Sequence, residues 1–421
     1  MTQVRDGNHE EEALTRTILF VGGGVETIAG VKQAKAMGLY VVVSDANPTA
    51  PAIAFAHAGI VASTYDIEAT VIAAGDFHRN RRPLDGVMCL ATDVPLTVAT
   101  VAHELGLPGI PIASARLSTD KMAMKERFAA TGIPIPWFSE VESADHLRAL
   151  VAERGFPLVL KPVDSRGARG VLLLRKDVSL DWAYAESRRN SPTGRVMVES
   201  FLAGPQVSTE SLILDGVAYT PGFADRNYEF LERFAPHIIE NGGNLPSSLP
   251  DSTRAAVCDL VQRATNSMGV LDGVIKGDIV VSDGVPHVIE LATRLSGGYF
   301  CTHEIPFNTG VDLVGNAIRL ALGDRVDSDS LRPRYDRPII QRYFFPNPGT
   351  VTAVEGVEKY AGHPNVVYLE VRVQVGDLVR PIDSHPTRAG VVMTTGDDRA
   401  SAIALAEEVV RSIRIETLGS G

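Results

Sequence analysis

Short apolar blocks and helical stretches alternate through the first quarter of the chain. Thr17-Ile18-Leu19-Phe20-Val21 is a continuous apolar block that empties into Gly22-Gly23-Gly24. A helical period follows to Met37, Gly38 ends it, and Tyr40-Val41-Val42-Val43 forms the next block, closing at Asp45. Continuous apolar blocks bounded by turn residues predict buried strands, and a strand–helix–strand order predicts parallel pairing. Residues 59–62 and 86–90 continue the series, and Leu107-Pro108-Gly109-Ile110-Pro111 ends it. The pattern predicts a parallel α/β domain over 17–113, behind a Glu-dense lead-in at 1–16 that lacks a hydrophobic period.

Beyond residue 113 the alternation changes character. A helical period at 120–130 carries Lys121 in its first turn, and a shorter one covers 145–154. Phe156-Pro157-Leu158-Val159-Leu160 then delivers Lys161 and is stopped by Pro162. Asp164-Ser165-Arg166-Gly167-Ala168-Arg169-Gly170 follows, and Val171-Leu172-Leu173-Leu174 resumes as a strand. A basic glycine loop between two strands describes a flap able to fold N–H and guanidinium groups over phosphates. The plainer reading is an exposed hairpin tip. It is not a Walker loop, because no G-x-x-x-x-G-K-[ST] precedes a helix. A further strand at 196–204 runs into a turn, after which Gln206, Ser208 and Glu210 alternate.

Residues 221–250 read as a loop-rich insert with Arg226, His237 and Glu240, followed by a helix at 252–268. The stretch 277–281, the turn signal Asp283-Gly284 and the run 286–290 predict a hairpin. It places Asp278 and Glu290 on neighbouring strands, with Arg294 and Gly297-Gly298 where the second strand runs out. Facing carboxylates repel unless a cation lies between them, and oxygen-only ligands suit magnesium with a phosphate. An amphipathic helix at 312–322, short strands from 338 and a last helix at 400–413 predict a small α+β closing domain.

At 421 residues, two or three domains are expected. A formal charge of -11 argues against a coat for nucleic acid or an anionic membrane, yet leaves room for a local basic pocket. Cys89, Cys258 and Cys301 lie far apart, in no metal or disulfide spacing. The N-terminus has no apolar signal core, and no run approaches the ~20 apolar residues of a membrane span. A cytoplasmic protein is the expectation. The glycine turn at 22–24 invites a dinucleotide reading with Asp45 meeting a ribose, but the third glycine of that fingerprint would fall at Thr27. Asp93, at a strand end, either faces the crevice or caps the next helix.

Taken together, Lys121, Lys161 with its flap, Glu199 through Glu210, and Asp278 with Glu290 and Arg294 resemble the ATP-grasp superfamily. The run E-x-A-x-R-x-x-G-G and the segment HIIENGGNLPSSLP look most like its L-amino-acid ligase branch, as does the stretch 380–390. The resemblance implies a pre-ATP-grasp domain at 17–113, a two-subdomain ATP-grasp fold at 114–330 with its lid near 125–200, and a closing domain at 331–421. It implies ATP and Mg2+ as cofactors. Lys121 and Lys161 would contact phosphates under a lid bearing Ser165, Arg166, Gly167 and Arg169. Glu199 and the Leu202 backbone would hold adenine, with Gln206 and Glu210 near the ribose and base. Asp278 and Glu290 would bind magnesium, and Arg294 with Gly297 and Gly298 would receive the acceptor carboxylate. Glu240 or His237 would position the amine, and Arg226 is a further substrate residue; the plainer reading of Glu240 and His237 is bonding within their own loop.

The implied reaction is ATP-dependent ligation of a small-molecule carboxylate to an amine through an acyl phosphate, in an enzyme of ordinary homodimeric habit. Two departures stand out: Ala292 replaces an asparagine usual in the carboxylase branches, and Asp278 stands where those carry Glu or Gln. The rivals are a bicarbonate-activating carboxylase or carbamoyl-phosphate type, a nicotinamide oxidoreductase resting on 22–45, and a nucleotide-binding protein without turnover.

Overall fold

In the computed structural model, which describes residues 15–419, the apolar block Thr17–Val21 is wholly buried at the centre of its sheet. Tyr40–Asp45 and Gly86–Met88 flank it, Ala58–Val61 lies outside Tyr40–Asp45, and every pairing is parallel. Most of the expected lead-in, residues 1–14, lies outside the described residues. The boundary expected near residue 113 falls on a helix, Ile112–Thr119, which leads directly into Lys121–Ala130.

The flap belongs to a second, four-stranded sheet in the order Phe138–Val141, Val196–Ser200, Leu158–Pro162 and Leu172–Leu174. Helices Ala144–Arg154 and Leu180–Arg189 cover it, closing a small core of Leu147, Leu160, Leu174, Ala183 and Val198. The apolar segment before Lys161 is therefore a buried central strand, as its composition requires.

The third sheet has eight strands and carries the predicted hairpin at one edge, Gly273–Ser282 paired with Val285–Ala292. Asp283 and Gly284 have φ of +51° and +78°. Positive φ at both central positions is the backbone that an Asp-Gly hairpin turn favours. On one face, helices Lys121–Ala130 and Asp251–Met268 bury Met124, Phe128, Leu260 and Val261 against Ile275, Ile279 and Leu291. On the other, Leu212, Leu245 and Ile339 share a core with Phe20, Leu90, Leu313 and Ile318, which welds the N-terminal domain to this sheet.

Two expectations change here. Within the supposed loop-rich insert, residues 221–226 complete a ten-residue strand, Val217–Arg226. Pro221-Gly222 reads as a breaker, but the strand absorbs it in a register shift between Tyr219 and Gly222. Gly222 sits so close to Ile305 and Glu210 that a side chain there would collide. The sheet also runs on past residue 330: Gly243–Leu245 pairs with Ile339–Tyr343, followed by Gly390–Thr394 and Val366–Val371. Only Gly349–Glu355, Leu378–Val379 and Arg414–Leu418 form a separate sheet in the closing region. Among the described residues, no helix is long and apolar enough to cross a membrane.

Candidate active site

Lys161 ends its buried strand facing Glu199, and its Nζ donates to Glu199 Oε1 at 2.5 Å. Lys125 approaches the other oxygen at 3.1 Å and donates to the Val288 carbonyl. Lys125 lies one helical turn after Lys121, which puts both lysines on one face; that spacing is the signal that identifies it. Burial alone would raise Glu199, but Lys125 and Lys161 hold it below the usual carboxylate range. Burial outweighs the attraction of Glu199 at Lys125 and pushes that ammonium down to about 8. Glu199 thus meets a lysine at each oxygen. Leu202 and Gln206 occupy the crossing from the flap sheet to the large sheet, where Gln206 pairs with Val280.

Lys121 donates to the Ser165 carbonyl at 2.8 Å and stands 3.4 Å from Glu290 Oε1. The flap is down. Arg166 donates to the Asp93 carbonyl at 2.8 Å and lies 4.0 Å over the Tyr65 ring, both in the N-terminal domain. On the other side, His385 N donates to the Gly167 carbonyl at 3.0 Å. Arg169 is exposed and reaches back to the Arg166 carbonyl.

Arg294 leaves the end of Val285–Ala292, is part-buried, and holds its Nε 3.4 Å from Asp93 Oδ1. Asp93 does not cap the helix Pro95–Leu105, which has no side-chain cap; it faces the crevice. Burial would raise its carboxyl, but Arg294, Lys121 and Arg166 bring it below its ordinary value. Gly298 has φ +69° and its carbonyl accepts from Gln341 Nε2 at 2.6 Å. Glu26 backs the same loop, accepting from Tyr299 N at 3.4 Å.

Asp278 and Glu290 are register partners, as expected. Their mutual repulsion is already relieved by side chains: Arg226 Nη1 lies 2.7 Å from Asp278 Oδ1, Lys276 bonds the same oxygen, and Lys121 faces Glu290. Burial would raise Asp278, but Arg226 and Lys276 hold it far below the carboxylate range. Repulsion is thus no separate evidence for a metal, and no group of three or more His, Cys, Asp or Glu among the described residues is placed to hold one. Two hard carboxylates on adjacent strands nevertheless fit magnesium, which takes one or two protein carboxylates and completes its shell from phosphates and water. Arg226 Nε donates to Glu240 Oε2 at 2.7 Å, so Arg226 joins Glu240 to Asp278 rather than offering itself to a substrate.

Three further placements complete the picture. Glu210 accepts from the Ser296 N at 2.6 Å and from its hydroxyl, and burial pushes it up to about 7. It props the loop after Arg294. His237 packs on the flap domain, edge-on to Trp182 and bridged to Leu172, away from Glu240's ion pair. Asp45 closes its own glycine turn, accepting from Gly23 N at 2.8 Å.

The model for the carbamoyl-phosphate synthase L chain, ATP-binding domain, matches residues 120–329, and that for L-amino acid ligase C-terminal domain 2 matches 342–418. The chain belongs to the ATP-grasp superfamily. Similar proteins include an uncharacterised protein of Sinorhizobium fredii, y4rH, 26% identical over 80% of this chain and 70% of that one. A D-alanine–D-alanine ligase of Desulforudis audaxviator is 29% identical over 53% of this chain and 71% of its own. An L-amino acid ligase structure from Bacillus licheniformis superposes with a TM-score of 0.80 at 21% identity, covering 96% of this chain and 99% of that one. With ATP-grasp membership come ATP and magnesium as cofactors and ADP-forming carboxylate–amine ligation as the reaction class.

One buried acid near this ATP-grasp site gives a stability test. Burial pushes Glu304 up to about 8, with Glu240 adding to the effect, and its Oε1 has no hydrogen-bond partner. A carboxyl raised by folding contributes stability that is complete below its unfolded value and is lost as pH rises through the folded one. Glu304→Gln should therefore stabilise the protein at pH 9 by on the order of 2 kcal/mol, with little effect at pH 5. Thermal unfolding at the two pH values reads this directly, and an equal shift at both would overturn it.

Proposed function

We propose that the protein activates the carboxylate of one amino acid and joins it to the amine of a second small molecule. Phosphoryl transfer needs positioning and positive charge more than covalent help. Lys121, Lys161, Arg166, Arg169 and the backbone of the flap around Ser165 and Gly167 would hold the nucleotide phosphates. The Leu202 backbone and Gln206 would hold the adenosine, and Asp278 and Glu290 the Mg2+, whose charge offsets that of the phosphates.

The acceptor carboxylate, oriented by Arg294 with Gly297 and Gly298, takes the γ-phosphoryl group and ADP leaves. The amine then attacks the acyl carbon, the C–O bond to phosphate breaks, and the nitrogen loses a proton. Glu240, fixed by Arg226, would steady the amine. Arg294 and its backbone neighbours would stabilise the oxyanion, while the closed flap keeps water from the acyl phosphate. The observation that carries this reading is the convergence of Arg294, Asp93, Lys121 and Glu290 beneath a flap held from both sides. A homodimer acting in the cytoplasm completes the proposal, and analytical ultracentrifugation tests its first part.

The test of activity is ADP and phosphate release with MgATP against the twenty amino acids, singly and in pairs, and against bicarbonate. Release that requires one pair, with a coupled product by mass and loss in Glu290→Ala, is the expected result. Stimulation by bicarbonate alone would replace this reading with the carboxylase type.

A further inference from the structure

The short loop 384–388 of the closing region reaches the site, and it carries Arg388. That residue is 7% exposed and stacks 3.8 Å over the Tyr343 ring. Its Nε and Nη2 are buried and donate to no acceptor, and among the described residues Arg388 is in no ion pair. The other arginines here are matched: Arg226 with Glu240 and Asp278, Arg294 with Asp93. Buried polar groups find partners in all but a few cases, and a buried charge without one is costly. Arg388 therefore has the form of a receptor for an anion brought by a ligand.

Its surroundings say which ligand. Tyr343, beneath the guanidinium, borders Gly298: a Cβ on that glycine would stand 3.3 Å from the Tyr343 hydroxyl. Gly298 belongs to the loop that begins at Arg294. Tyr228 and Tyr343 each feel the charges of both Arg388 and Glu240, so these two residues belong to one neighbourhood. His385, on the same loop as Arg388, buries its Nε2 without a partner, while its backbone holds the flap at Gly167. A planar fork suits a carboxylate, which it grips through two parallel bonds.

We infer that Arg388 receives the carboxylate of the amine-bearing substrate and is the residue that makes the site prefer an acid to its amide at that position. The inference rests on the ligase reading above and gives the amine two anchors, the nitrogen toward Glu240 and the carboxylate at Arg388. Because the loop that binds the carboxylate also touches the flap, the second amino acid completes the closed site.

The experiment compares the twenty amino acids with their carboxamides as amine substrates, using the full chain and MgATP. ADP release gives kcat and KM. Thermal-shift titration with MgADP present gives binding without turnover. The wild type should prefer acids to amides by about 10- to 100-fold in KM, the range for a hydrogen-bonded charge. Arg388→Met should raise KM for the acid by that factor, leave the amide unchanged, and so erase the preference. Arg388→Lys, which keeps the charge, should recover part of it and shows that the loop still folds. Equal use of amides by the wild type, or a preference that survives Arg388→Met, overturns the inference. If no pair supports ADP release, the ligase reading falls and the titrations decide the subsite. Carboxylate-dependent stabilisation lost in Arg388→Met upholds it; absent or unchanged stabilisation overturns it.

Discussion

Arg294→Met is expected to lower kcat for ligation by about 10³ while leaving the KM for ATP within a few-fold of the wild type. Removing one donor from an oxyanion site costs about 10² to 10³ in rate, and Arg294 is proposed to serve twice, at phosphoryl transfer and at amine attack. The nucleotide contacts assigned to Lys121, Lys161 and the flap are untouched by the substitution. Steady-state kinetics separate the two quantities, and a loss confined to the KM for ATP would move Arg294 to the nucleotide. Arg294→Met also leaves Asp93 without its nearest cation, at 3.4 Å in the wild type. Pairing it with Asp93→Asn removes that liability and keeps a folding defect from passing as a catalytic one.

Glu199→Ala should destabilise the flap domain by about 3 to 5 kcal/mol, the usual result of stripping one partner from a buried ion pair. Lys125 and Lys161 are 1% and 4% exposed, and both depend on that one carboxylate. Glu199→Leu combined with Lys125→Met and Lys161→Met should restore much of the loss, because apolar replacement of a whole buried ionic cluster is often neutral. Activity would fall all the same if Lys161 holds a phosphate. The pH course follows from the sign of the shift: Glu199 is depressed by folding, so its contribution is present above the ordinary carboxylate range and fades as pH falls through the lowered value. Denaturant unfolding at pH 7 and pH 3 should show a smaller gap between wild type and Glu199→Ala at the lower pH.

Sequence patterns revealed the strands best where composition and turn chemistry agreed. Thr17–Val21, the Asp283-Gly284 turn and the pairing of Asp278 with Glu290 all appear as expected. Pro221-Gly222 misled because a bulge can absorb what a regular strand cannot. Glu199 and Glu210 were legible as acids on or beside strands, but neither their burial nor their partners were. Lys125 and Ser296 reach them across gaps in sequence that periodicity does not measure. Arg388 illustrates the same limit: nothing local distinguishes it from a surface arginine until Tyr343 and the large sheet are in place.

The eight-stranded sheet has a consequence for how the protein is made. Strand Gly243–Leu245 has no outer neighbour until Ile339–Tyr343 has left the ribosome. A chain stopped near residue 330 would hold Asp278, Glu290 and Arg294 yet expose an open strand edge, the surface from which chains stick to one another. A clipped copy ending there is expected to aggregate rather than stay dispersed, and a transplant of the closing region from a relative must carry its strands as well as its loop.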